Sequence, residues 1–216
     1  MDGQLSMRMA PLLPTGIDVL DRLLDGGIPA GSVVLLSAAP ASQSELILYQ
    51  LTASRRTLYL STIRSTAAIN DALERTKTPI GKPNVREVPG DAPLDHAARL
   101  IRTLPERSTL ILDPIDPLER MDEHRFRHFM NELQTHMINT ESVAFLHGID
   151  GRTVPQLRDT TEYMADVVFN LDTKVTGDSL ENRLAVPKFR GGRAMDEPIK
   201  LQLREQVSID TSRDIA

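Results

Sequence analysis

The sequence predicts a three-layer α/β domain on a mostly parallel central sheet, closed by a C-terminal antiparallel hairpin. Three observations carry this: five short apolar runs bounded by polar or turn residues, helical patterns between them, and a change to apolar–polar alternation after residue 182. The chain has 216 residues, which suits one domain of ordinary size, and no internal repeat or composition break divides it.

Residues 1–13 read as a flexible leader, 14–207 as the domain and 208–216 as a polar tail. Ile17, Leu20, Leu23 and Leu24 stand at helical spacing, and Gly26-Gly27 ends that helix where a C-cap favours glycine. The runs at 33–37, 57–61, 109–113, 143–147 and 167–171 predict buried strands, with a weaker one at 84–88. Residues 44–54, 65–77, 93–104 and 122–139 have the period of helices. NRLAVPKF and PIKLQLREQV flank the turn-rich RGGRAMDE, which predicts the hairpin on the sheet edge.

Composition removes several function classes. There is no cysteine, so disulfide frameworks, thiolate metal sites and cysteine nucleophiles are excluded. Net charge is −5, which argues against a wholly basic nucleic-acid footprint. No run approaches the ~20 apolar residues of a membrane span and no signal-peptide pattern opens the chain, so a cytoplasmic location is expected. Arg outnumbers Lys by 20 to 5 and Asp outnumbers Glu by 18 to 12, which suits a high-salt or GC-rich source.

The stretch PTGIDVLDRLLDGGIPAGSVVLLS, residues 14–37, resembles the opening of the RecA-like P-loop ATPases, most closely their archaeal-type, KaiC-like branch. That pattern reads S-T-G-I-x-x-L-D-x-L-L-x-G-G-I-P-x-G-S before the first apolar strand. The likeness extends over about residues 14–205 and implies a RecA-like fold. A P-loop needs G-x-x-x-x-G-K-[ST], with glycines to close backbone N–H groups on phosphate, Lys for the β/γ-phosphates and a hydroxyl for Mg²⁺. In this sequence the glycine positions hold Ala38, Ala41 and Gln43, with Ser42 between them; Ser44 replaces the lysine and Glu45 the hydroxyl. Ile63 and Arg64 stand where the resemblance would place the general-base glutamates. Asp113 matches the acidic residue that ends a strand on Mg²⁺, although Asp before Pro is also a common turn choice. Lys188, Phe189, Arg190 and Gly191 match the K-x-R-G finger that reaches a neighbouring subunit, and the same cations equally suit solvent or an acidic partner.

Other signals weigh less. His124, His128, Glu132 and His136 stand at i, i+4 spacing on one predicted helix, and the first two histidines lie opposite the face of Phe126, Phe129, Met130, Leu133 and Met137, so solvent exposure is expected and no metal site. His147 ends a strand where the family carries a phosphate-sensing polar residue, and a hydrogen-bonded histidine at the strand end is the expectation. Neither G-x-S-x-G nor H-E-x-x-H occurs, so no hydrolase motif is visible. Arg152, Arg158, Arg183, Arg190 and Arg193 gather late in the chain without interleaved aromatics.

The resulting expectation is a catalytically inactive RecA/KaiC-like domain, a pseudo-ATPase with no cofactor, acting as a regulatory or scaffolding protein. Its partner would be an active paralogue or a signalling component, in a homo- or hetero-oligomer, away from membranes. Two alternatives stand beside it: a divergent ATPase that binds ATP and Mg²⁺, and a DNA-repair or recombination accessory factor.

Overall fold

The computed structural model describes residues 10–176 and 179–210. The elements in order are β1 (Leu12–Leu13), α1 (Asp18–Leu23), β2 (Ile28–Pro29), β3 (Val33–Ala38), α2 (Ser44–Leu51), β4 (Thr57–Ser61), α3 (Thr66–Arg75), β5 (Asn84–Glu87) and α4 (Pro93–Ile101). Then follow β6 (Thr109–Asp113), α5 (Asp116–Glu119), α6 (Glu123–Asn139), β7 (Val143–Ile149), α7 (Arg158–Met164), β8 (Val167–Thr176), β9 (Ser179–Phe189), β10 (Ile199–Leu203) and β11 (Val207–Ile209). A nine-stranded sheet runs β11-β10-β9-β8-β3-β7-β6-β4-β5, and β1-β2 form a separate small ribbon. The strands from β8 to β5 in that order pair in parallel, whereas β9, β10 and β11 add antiparallel.

Strand alternation sorts the core into two faces. Val34, Leu36, Tyr59, Ile111 and Phe145 pack with α1, α2 and α3 on one side. Val33, Leu35, Leu58, Leu60, Leu110, Leu112 and Leu146 pack with α4 and α6 on the other. Both faces are covered, which is why the parallel strands read as continuous apolar runs. The three-layer architecture is therefore as expected.

Several boundaries differ from the hydrophobic pattern. Leu12–Leu13 are not leader but a strand, paired with Ile28–Pro29. The preceding residues 1–9, and 211–216 of the tail, lie outside the described residues. At the other end, Val207–Ile209 complete the sheet as β11. β8 runs to Thr176, past the predicted 171, because Asp172, Thr173 and Lys174 break the apolar run while the backbone continues to pair with β9. The hairpin is thus the outer part of a four-strand antiparallel extension. Helices α5 and α7 have 4 and 7 residues, too short for a 3.6-residue period to show.

Local chemistry sets the turns. Asp21 accepts from Thr15 N (2.6 Å), Thr15 Oγ1 (2.8 Å) and Gly16 N (3.2 Å), which fastens the chain entering α1 onto the helix. Gly27 has φ +131°, and a Cβ there would meet the Leu13 carbonyl oxygen at 2.3 Å, so the ribbon closes only over glycine. Gln50 on α2 donates to the Gly16 carbonyl (3.3 Å) and accepts from Val207 N (2.9 Å), joining the opening motif to the last strand. Ser65 and Asp122 cap α3 and α6 by accepting from Ala68 N and Arg125 N.

A buried ion cluster holds the two short helices. Arg158 on α7 reaches Glu119 Oε2 at 2.8 Å and Asp116 Oδ1 at 3.1 Å, and Thr161 donates to Glu119 Oε1 at 2.6 Å. Asp116 also accepts from Ile149 N on β7 (3.0 Å). A Cβ at Gly148 would lie 2.6 Å from Arg158 Nη1, so this strand position must be bare for the guanidinium to lie flat on it. Arg158→Ala leaves two buried carboxylates uncompensated and is expected to lower stability by about 3–5 kcal/mol in urea unfolding.

Candidate functional site

The carboxyl ends of β3, β6 and β7 meet where the strand order reverses, with β8 on one side of β3 and β7 on the other. In open parallel sheets this is where ligands bind. Asp113 ends β6, His147 lies in β7 opposite Leu36, and Ser44 opens α2 after the turn that leaves β3. Asp113 and His147 share their strand face with Ile111, Phe145 and Tyr59, so both side chains point toward α2.

These residues form one continuous hydrogen-bonded network. Asp113 Oδ2 accepts from the Tyr59 hydroxyl at 2.5 Å, and Asp113 Oδ1 lies 2.6 Å from His147 Nδ1. His147 Nε2 lies 3.0 Å from Ser44 Oγ. Ser42 Oγ is 3.1 Å from Ser44 Oγ and donates to the Ala39 carbonyl at 2.6 Å, which folds the turn onto itself. An ionised carboxylate only accepts, so Nδ1 carries the shared proton; a neutral ring then leaves Nε2 to accept from the Ser44 hydroxyl. Tyr59 is fully buried, and Ser42, Ser44, Asp113 and His147 are all buried.

Electrostatics follow from that burial. Desolvation alone would raise the Asp113 carboxyl, but hydrogen bonds from His147 and Tyr59 and the charge of Arg64 bring it below its ordinary value near 3.8. Burial, reinforced by Asp113, raises the Tyr59 phenol well above its usual value. Burial also raises the Tyr49 phenol, partly offset by Arg64, whose guanidinium donates to the Tyr49 hydroxyl at 3.1 Å. Arg64 therefore places a cation where the resemblance puts a general-base carboxylate, and Ile63 beside it projects 65% exposed. In the loop itself Pro40, Ala41 and Gln43 are exposed, Ala38 is buried in the sheet, and Glu45 is half-buried on the first turn of α2.

Lys188 and Arg190 are not brought to this site. They lie at the opposite edge of the sheet, where β9 pairs with the start of β8. Lys188 donates to the Glu162 (2.7 Å) and Tyr163 (2.8 Å) carbonyls and sits 5.8 Å over the Tyr163 ring; Arg190 donates to the Tyr163 carbonyl (2.9 Å) and faces Asp166 (3.3 Å). Both cations thus hold the C-terminal end of α7. On α6, His128 pairs with Glu132 at 3.7 Å beside a groove of about 340 Å³ against α4, and among the described residues no group of three or more His, Asp or Glu is placed to hold a metal. Four of the late arginines meet acids of the chain itself: Arg158 the cluster above, Arg183 Glu181, Arg190 Asp166 and Arg193 Asp196.

The network escaped sequence reasoning because its members are far apart, 103 residues from Ser44 to His147 and 54 from Tyr59 to Asp113. The one signal available was polar residues at the carboxyl ends of apolar runs. Asp113→Asn replaces one of the two acceptor oxygens by an N–H donor, leaving either the Tyr59 hydroxyl or the His147 ring N–H facing another donor, and is expected to lower stability by about 2–3 kcal/mol at neutral pH. The folded carboxyl titrates below its ordinary value, so its stabilisation is complete above that value and is lost as pH falls through the lower folded one. Urea unfolding of Asp113→Asn should accordingly show a weaker fall in stability from about pH 4 downward than the unaltered chain.

Comparison with known proteins places this geometry among familiar folds. A KaiC-like protein from the hyperthermophilic archaeon Pyrococcus horikoshii superposes with a TM-score of 0.74, covering 92% of this chain and 99% of that one at 16% identity. The fold is therefore the KaiC-like RecA fold. The DNA repair protein RadA of Mycolicibacterium smegmatis is 40% identical over 68 residues, 29% of this chain, and the match spans only 15% of RadA's length. A family model described as a family of unknown function, DUF7125, matches residues 12–216, and the chain belongs to that family.

Proposed function

We propose that the chain is a pseudo-ATPase: a RecA/KaiC-like domain that has exchanged nucleotide chemistry for a closed polar network and acts as a regulatory or scaffolding protein. The observation that carries this reading is the engagement of both Asp113 oxygens, one by His147 at 2.6 Å and one by Tyr59 at 2.5 Å. Each oxygen has a second lone pair, but Asp113 is buried with both oxygens turned to protein donors, an environment that disfavours it as the seat of a magnesium-bound water. Ser44, at the position of the phosphate-binding lysine, offers a hydroxyl already used by His147. Glu45 adds negative charge beside the place where a triphosphate would lie.

The partner we propose is a protein, either an active RecA-like paralogue or a signalling component. RecA-like domains repeat head to tail, and such a heterologous contact tolerates a subunit without catalysis. The recombination-accessory reading draws on the partial likeness to RadA. Against it, Arg158, Arg183, Arg190 and Arg193 are already paired with acids, so phosphate contacts would have to break those pairs.

Calorimetric titration with Mg-ATP tests the proposal. The unaltered chain is expected to give no binding heat at ligand concentrations up to about 1 mM, a level at which a millimolar site would already register. The variant carrying Ala41→Gly, Gln43→Gly, Ser44→Lys and Glu45→Thr is expected to regain binding. Micromolar binding by the unaltered chain would overturn the proposal.

A further inference from the structure

Ser44, His147 and Asp113 stand in the order hydroxyl, imidazole, carboxylate, with consecutive separations of 3.0 and 2.6 Å. We propose that this relay makes Ser44 an acyl-accepting nucleophile and gives the domain an esterase activity toward small uncharged carboxylic esters. The activity would be independent of nucleotide and goes beyond the reading above.

Three features support it. The ring is fixed from both sides, since Asp113 holds Nδ1 while Nε2 faces the Ser44 hydroxyl, the arrangement a general base requires of its nucleophile. Asp113 is a positioning residue, itself held through its second oxygen by Tyr59. Ser44 is also the first residue of α2, after a strand and a tight turn. Of the first-turn N–H groups, that of Ser44 donates to Ser42 Oγ (3.4 Å) and that of Leu46 to the Gln43 carbonyl (3.1 Å), while that of Glu45 has no acceptor within the helix, and the helix dipole favours negative charge there. A developing oxyanion on a carbonyl bound at Ser44 would meet the Glu45 N–H. The absence of lysine from the loop and the presence of Glu45 disfavour anionic substrates, hence the uncharged ester.

Ser44 is only 3% exposed, so the turn Ala39–Gln43 must lift to admit substrate. Pro40, Ala41 and Gln43 of that turn are already exposed, and its side-chain ties are those of Ser42, to the Ala39 carbonyl (2.6 Å), to Ser44 Oγ (3.1 Å) and from Ser44 N (3.4 Å). Opening it leaves Asp113 and His147 on their strands. Ser44 Oγ then attacks the ester carbonyl carbon, its proton passes to His147 Nε2, and the carbonyl π pair moves onto oxygen. Collapse of that oxyanion breaks the ester C–O bond, the leaving alcohol takes the proton from Nε2, and the acyl group remains on Ser44. Water, deprotonated by His147, attacks the acyl carbon and releases the carboxylic acid with the serine hydroxyl restored.

The full chain is incubated with p-nitrophenyl acetate and, separately, with diisopropyl fluorophosphate, followed by peptide mass spectrometry. The expected result is hydrolysis of the acetate and a single phosphoryl adduct on Ser44, both absent in Ser44→Ala. His147→Gln should slow labelling at least about 100-fold, the scale of a general base, and Ser42→Ala should speed it several-fold by freeing the turn. If His147→Gln fails to fold, the labelling rate of the unaltered chain against pH decides: a rise with loss of one proton supports the relay and a flat profile overturns it. No adduct in either the unaltered chain or folded Ser42→Ala would overturn it, as would labelling of another residue or an unchanged rate in His147→Gln. Titration with nucleotide and labelling of serine read separate chemistries, so either reading can fail without the other.

Discussion

A carboxylate withdrawn from water must find hydrogen-bond donors, and Asp113 is the group around which the rest of this site is arranged. Its donors come from two other strands: Tyr59 in β4, two places before the strand's end, and His147 in β7. Through His147 the network reaches Ser44, and so fixes where α2 begins. Four elements are thus tied at the carboxyl edge of the sheet, where a parallel fold otherwise leaves an open crevice. A half-satisfied set of this kind would destabilise the core, whereas a fully satisfied one holds a single arrangement.

The same constraint shows how the domain keeps its architecture without a phosphate-binding loop. A glycine-rich loop holds its shape through the anion it wraps; here the Ser42 hydroxyl closes the turn on the Ala39 carbonyl instead. The serine at position 44 is short enough to fit between the turn and β7 and offers its hydroxyl to Nε2 of His147. Arg64, tied to Tyr49, supplies the positive charge that steadies Asp113 from the solvent side. At the opposite edge Lys188 and Arg190 serve the end of α7, so the finger-like sequence has a local task whether or not a neighbouring subunit exists.

Much of the scaffold was legible because burial on both faces leaves its mark on composition. Runs as short and as apolar as VVLLS and TLILD suit a strand covered on both sides and little else in a chain of this length. The extension of β8 was hidden by Asp172 and Lys174, which point away from any core, and β1 by its having only two residues. Of the site, the departures from P-loop chemistry at 38–45 were readable, since they concern residue type at fixed spacing. The relay was not, because it depends on which strands lie side by side and on which face each residue points, and order in the sheet departs from order in the chain.

The closed network is tested most directly by nuclear magnetic resonance of the His147 ring nitrogens and their protons, before and after addition of Mg-ATP. A closed network predicts a proton on Nδ1, shifted far downfield by its bond to Asp113, with Nε2 unprotonated and neither signal moved by nucleotide. A ring protonated at Nε2 instead, or signals that shift as nucleotide is added, would contradict it and return the site to nucleotide chemistry.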